Sequence, residues 1–454
     1  MRELNIEKIK NILSKIRTTG DVTNLEEVCG NLKISTNKEL IKFTSGFLNN
    51  WGADILQEVR NIYSKELEEK VIFIFSLASD IDRKNYNIIS NYALSLKYCS
   101  TNTKDLFKSF NLLEKAYDLI IISLNKNPKD LGIIQNFGII SKSFAVKKIE
   151  LNKELEAFNI KLQKLSNNPK NNNELSDFLY NNTELLKLQK LKKNEGIEII
   201  FKNAINELKK ALKRDNLAKI LYYQLGKIYS EFAIINNDSK AKVLLNNAIS
   251  YFEQAITYEE NKSDVYSEWG FALRSLSILD GHSEELCRQA LYKFRKAYKM
   301  SPKEVNNLYN LGSVTFMLSE IIMHKKNLNN DDEPLFKEST KIFETILQDK
   351  PNDPVTLLQV ATSLTFNARF VIGEEKQKLF SKAVENFDKS IKLDSENFMT
   401  LYTFGDCLYY YSEILPEKEG VIAIEKAISL FEKALEKEPK NHYLLTLYGD
   451  CLIY

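Results

Sequence analysis

The sequence predicts an all-α chain of repeated helical hairpins, and three observations predict it. Glycine and proline number 15 and 8 in 454 residues, few for that length, which favours long helices over β-structure. Glycines recur inside apolar stretches at Gly226, Gly270, Gly312, Gly405 and Gly449, with Ala361 in the same place, at steps of 44, 42, 49, 44 and 44 residues. A signature of a small residue, an aromatic four later and usually a small residue three after that precedes Gly270 and each later copy: "NAISYFEQAITYEEN", "QALYKFRKAYKMSP", "STKIFETILQDKP", "KAVENFDKSIKLDS" and "KAISLFEKALEKEP". That spacing is one face of a helix. Its first small residue stands 22 residues before the next glycine in every copy, and Ala204 stands 22 before Gly226. The constant joint sets the packing register, while the opposite tip of each hairpin is free to vary.

In chain order, residues 1–70 hold an amphipathic segment (Leu4, Ile6, Ile9, Ile12, Leu13, Ile16) and then "FTSGFLNNWGADILQEVRNIY", read as an N-terminal helical cap or an eroded repeat. Residues 71–138 read as degenerate units, because Phe75 and Ala78 fit a second helix before Ala93, and Ala116 and Pro128 stand at the repeat's offsets before Gly138. Residues 139–194 break the ruler, since 66 residues separate Gly138 from Ala204. A first helix prolonged to about Leu165, the breaker "SNNPKNNN" and a lysine-rich return limb would make a projecting arm. Residues 195–454 are the regular array, its last unit incomplete.

These residues resemble the tetratricopeptide repeat, a helix-turn-helix unit of 34 residues that stacks into a superhelix. The resemblance rests on Tyr222, Leu225, Gly226 and Tyr229 on a first helix, Ala248, Phe252 and Ala255 on a second, and Pro302, Pro351 and Pro439 at turns. It covers about 195–454 and implies a right-handed α-α solenoid. All the surplus length lies between first and second helix: Gly226 to Ala248 is 22 residues where the shorter unit has 12. Ten extra residues would lengthen each helix by roughly a turn, at about 3.6 residues per turn. Over roughly 260–325 there is a finer likeness to elongated repeat proteins of plants and amoebae, one of them associated with endomembranes and actin.

Composition excludes little by charge, since 63 Lys+Arg against 61 Asp+Glu leave +2 and no global field for nucleic acid or an anionic membrane. Five cysteines without CxxC or a framework fit a reducing, intracellular, cytoplasmic setting, with any membrane association made through partners. No apolar run approaches the ~20 residues that span a bilayer, and no targeting segment is evident at the N-terminus. No nucleotide, hydrolase or zinc motif is present, and the three histidines fall at tips and turns, so neither enzymatic activity, a metal nor another cofactor is expected. The lysine run over 187–214 is interleaved with Glu198 and Glu207 rather than with a series of aromatics, and an RNA-binding array using it is the third-ranked reading.

The resemblance also implies a concave groove lined by first-helix positions three before, one after and four after the glycine. Here they are Tyr223, Lys227 and Ser230; Ser267, Phe271 and Arg274; Tyr309, Ser313 and Phe316; Leu358, Thr362 and Thr365; Tyr402, Asp406 and Tyr409. The rings suit a peptide segment of a protein partner, although packing against neighbouring repeats is nearly as good an explanation for some. Relatives that clamp the acidic tails of heat-shock chaperones use a set of lysines, arginine and asparagines. The equivalent places hold Tyr223, Lys227, Glu268, Tyr309 and Ser313, which argues against that ligand. The expectation is a non-enzymatic scaffold or adaptor, with a structural subunit of a larger assembly as the alternative. "GDCL" occurs at 405–408 and 449–452, where the repeat makes Cys407 and Cys451 inert packing residues. After the second copy no further helix follows, so either Tyr454 is a fragment boundary or a partner covers that face.

Overall fold

The computed structural model describes residues 6–20, isolated positions between 21 and 36, 37–61, 64–166, 196–214, 220–236, 238–258, 262–326 and 333–453. Among them every regular element is an α-helix. The chain divides into two compact units, Met1–Asn236 and Asn237–Tyr454, and the division falls inside the span that the periodicity reads as one array.

The first unit contains α1 (Ile6–Thr19), α2 (Lys38–Asn61), α3 (Lys65–Ile81), α4 (Tyr86–Asn102), α5 (Leu106–Lys126), α6 (Leu131–Ser166), α7 (Ile197–Arg214) and α8 (Ile220–Ile234). Each of α2–α3, α4–α5 and α6–α7 packs as a hairpin. A β-carbon on Gly52 would come within 2.9 Å of the Phe75 ring, so α2 and α3 meet through a glycine and an aromatic, as the later repeats do. The amphipathic α1 lies on α2 with Ile9 and Leu13 fully buried. The 36 residues of α6 span about 54 Å at 1.5 Å per residue. The expected return limb, with Lys190, Lys192 and Lys193, lies outside the described residues.

The second unit contains α9 (Asp238–Tyr258), α10 (Ser263–Leu279), α11 (Glu284–Met300), α12 (Val305–Lys326), α13 (Glu333–Asp349), α14 (Pro354–Ala368), α15 (Gly373–Leu393), α16 (Phe398–Ser412), α17 (Glu417–Lys437) and α18 (His442–Ile453). Its hairpins are α10–α11, α12–α13, α14–α15 and α16–α17. Phe294, Phe343 and Phe431 of the second helices lie against Gly270, Gly312 and Gly405 of the first. Gly281 (φ +67°) and His282 (φ +59°) turn the α10–α11 tip.

Two devices set the register. Asx caps open the first helices: Asn85, Asp130, Asp353, Asn397 and Asn441 each accept a backbone N–H three residues on. Each cap stands eight residues before its repeat glycine or alanine. The second device is polar and links first helices of consecutive hairpins. The amide of Asn91 donates to Asn49 Oδ1 (3.0 Å), that of Asn136 to Ser90 Oγ (3.0 Å) and that of Asn310 to Ser267 Oγ (3.4 Å). In every case the donor stands two before its own Gly or Ala, and the acceptor three before the preceding one.

The surplus length is shared unequally. First helices α8, α14 and α16 have 15 residues, whereas second helices α5, α9, α15 and α17 have 21. The expected even lengthening therefore holds for α10 and α11, with 17 residues each, and is corrected for the other hairpins, the order being reversed in α12 and α13, with 22 and 17. The glycine-to-alanine spacing fixes only the sum of the two helices and the tip, and says nothing about where the tip falls.

Candidate partner-binding face

First helices of successive hairpins approach one another within each unit: α2 with α4, α4 with α6 and α6 with α8 in the first, and α10 with α12, α14 with α16 and α16 with α18 in the second. Second helices are instead bridged by long side chains, as in the Arg295–Glu338 (2.9 Å) and Lys426–Asp388 (2.8 Å) ion pairs. Closer approach along the first-helix row makes it the inner side of the curve within a unit.

Nine of the fifteen expected groove positions, Tyr223, Lys227, Phe271, Arg274, Tyr309, Phe316, Tyr402, Asp406 and Tyr409, hold the candidate site residues, and all nine are half-buried. Tyr223 and Lys227 belong to the first unit, where the Lys227 ammonium lies 5.2 Å from the Tyr223 ring centroid. The rest belong to the second. Arg274 lies over Phe271 (5.1 Å), and burial holds its guanidinium below its usual range. Tyr309 meets buried Phe343 edge-on at 5.6 Å, and burial raises its hydroxyl pKa. Phe316 contacts buried Phe336 (5.7 Å) and Phe366 (5.2 Å), both edge-on. Thr365 donates to the Ala361 carbonyl, and Leu358 is buried. Packing therefore occupies the α12 rings and the α14 positions, and Tyr402 and Tyr409 on α16 also lie against the core of the second unit while remaining half-buried. Tyr402 stacks on Phe398 (6.1 Å), and Tyr409 meets Tyr410 edge-on (5.4 Å).

Four residues around this patch escaped the family ruler. Glu320, Arg369 and Glu413 stand eight residues after Gly312, Ala361 and Gly405, one turn beyond the last position it names, and Tyr410 adjoins Tyr409. Continuing the i, i+4 stripe for one more turn finds the first three: Glu320 lies within α12, whereas Arg369 and Glu413 stand one residue past the ends of α14 and α16. The Arg369 guanidinium lies 4.3 Å from the Tyr410 ring and 5.3 Å from the Phe366 ring, and donates to Tyr410 Oη (3.4 Å). Burial raises Glu320 to about 7 and Asp406 to about 6, opposed in each case by Arg369. Among the described residues neither carboxylate forms an ion pair.

A second basic and aromatic patch lies on α11. Lys293 sits 3.2 Å from the Trp269 ring centroid, and Lys296 lies between Tyr266 (5.4 Å) and Tyr292 (5.2 Å). No helix among the described residues is long and apolar enough to cross a membrane.

No protein-family model matches the chain, and no curated protein matches it. Among solved structures it is similar to a thermophilic tetratricopeptide-repeat protein of Thermus thermophilus, with 13% identity over 50% of this chain and 100% of that one, at a TM-score of 0.33. It is also similar to YrrB, described as a tetratricopeptide-repeat protein with an unusual peptide-binding site, with 18% identity over 52% of this chain and 94% of that one, at a TM-score of 0.32. Yeast Tom70 shows 15% identity over 89% of this chain and 96% of that one, at a TM-score of 0.26.

Proposed function

We propose that this helical-hairpin protein is a non-enzymatic adaptor that holds a peptide segment of a protein partner on the inner face of its second unit. The observation that carries the reading is the α16 stripe. Tyr402, Asp406 and Tyr409 succeed one another along one helix face, half-buried, on a helix of the row where first helices approach one another. Rigid rings that present an apolar body and a polar tip are the residues that anchor interfaces at low entropic cost.

The test is co-purification from cells with the full chain carrying Tyr402→Ala and Tyr409→Ala. Loss of specifically captured proteins, with helicity and the unfolding midpoint retained, supports the adaptor role. Unchanged capture rejects it. Tyr309 and Phe316 are poorer probes, because their packing on Phe343 and Phe336 ties them to stability.

A further inference from the structure

Four carboxylates and one guanidinium act on the tyrosines of the α16 stripe. Tyr402 feels Asp406 and Glu320; Tyr410 feels Arg369, Asp406, Glu413 and Asp450; Tyr409 feels Asp450 and Glu413. Among the described residues Arg369 is the one cation acting on Glu320 or Asp406, so the patch is short of positive charge. The same wall already accommodates a guanidinium, because Arg369 lies over the Tyr410 and Phe366 rings and donates to the Tyr410 hydroxyl. Ring faces and carboxylates together are the chemistry that receives a cationic side chain.

We propose that Glu320, Asp406 and the rings of Tyr402, Tyr409 and Tyr410 form a cation subsite that takes one arginine or lysine side chain of the bound peptide. The proposal rests on the peptide-binding reading above and specifies its ligand as a basic segment. Charge complementarity selects that occupant over an acidic tail, which would meet four carboxylates. A bound cation lowers the cost of ionising Glu320 and Asp406, so binding releases protons and tightens as pH rises. The groups that set this are Glu320 on α12, Arg369 just past α14, Asp406 and the three tyrosines on α16, Glu413 just past it, and Tyr443 and Asp450 on α18.

The experiment uses the full chain and a positional-scanning library of N-acetylated, C-amidated decapeptides, each pool fixing one residue at one position. Enrichment of arginine or lysine at one position is expected, at least tenfold over leucine or glutamate. Glu320→Gln with Asp406→Asn should abolish that preference while the library still binds. The best basic peptide should bind about tenfold more tightly at pH 8 than at pH 5.5, and the double variant should lose this dependence. Library binding that Tyr402→Ala weakens, but with no cationic preference, overturns the subsite and leaves the adaptor reading standing. Library binding that is absent, or insensitive to Tyr402→Ala, overturns both.

Discussion

The Phe431 ring stands directly against Gly405, closer than any β-carbon would allow, while the equivalent space beside Gly449 is open. The two glycines occupy the same place in copies 44 residues apart, so they separate packing from backbone propensity. Alanine at either position gains about 1 kcal/mol of helix propensity. At Gly405 the added methyl must displace a fully buried ring, and overpacking of this kind costs about 1–3 kcal/mol. Gly405→Ala is therefore expected to lower the urea midpoint and Gly449→Ala to leave it unchanged or raise it. Equal shifts in the same direction would refute the packing role assigned to the ring.

The paired Gly-Asp-Cys-Leu strings lead to a second expectation. Cys407 is completely buried, and burial, with Asp406 adding to it, pushes its thiol up to about 12; Cys451 is pushed up to about 11. Cys99 and Cys287 are likewise buried and raised to about 12. Thiolate is the reactive species. Iodoacetamide at pH 8 should leave these four cysteines unmodified in the native protein and label them all in urea, as read by intact mass. Rapid native labelling of Cys407 would contradict its inert packing role.

The repeat itself was legible because a glycine can be required by the ring it faces, and such a requirement recurs with the packing. Gly270, Gly312 and Gly405 each meet a phenylalanine of the following helix, which is why "small, aromatic, small" marked the second helices. Gly52 obeys the same rule against Phe75 but sits in a helix opened by Asn37, fifteen residues earlier rather than eight, so the regular ruler slides past it. The candidate face was legible up to the fourth residue after each glycine. Glu320 and Arg369 were missed because the positions carried over from the shorter unit stop there, whereas Glu320 lies on the 22-residue α12 and Arg369 just past the end of α14. The asparagine bridges between first helices were missed for another reason. Their partners lie 42 to 46 residues apart, and only the stacking of repeats brings them together.

Glu320 and Asp406 make the free protein sensitive to pH. Both hold a proton more tightly when folded, at about 7 against the ordinary 4.5 and about 6 against 3.8. Their stabilising contribution is thus fully present below the ordinary values and is lost as pH rises through 6 and 7. Between pH 5 and pH 8 they should together remove about 1–3 kcal/mol of stability, after allowance for partial solvent screening. Glu320→Gln with Asp406→Asn should match the parent at pH 5 and exceed it at pH 8 in urea unfolding. A parent that gains stability over this range relative to the variant would reverse the sign and reject the assignment.

The Asn136 to Ser90 hydrogen bond makes the first-helix row of the first unit testable without touching the binding face. Asn136 reaches back from α6 to α4 over 46 residues, and Ser90 is almost fully buried. A bridge of this kind contributes about 0.5–1.5 kcal/mol, and removing one partner leaves the other buried polar group unsatisfied. Ser90→Ala and Asn136→Ala should each destabilise the protein, and the double variant by less than the sum, with a coupling of about 0.5–1.5 kcal/mol. Ser267→Ala and Asn310→Ala should behave alike across the longer 3.4 Å contact in the second unit, with a smaller coupling. Additive single effects at both pairs would mean that the amides merely face solvent, and that apolar packing alone aligns the first helices.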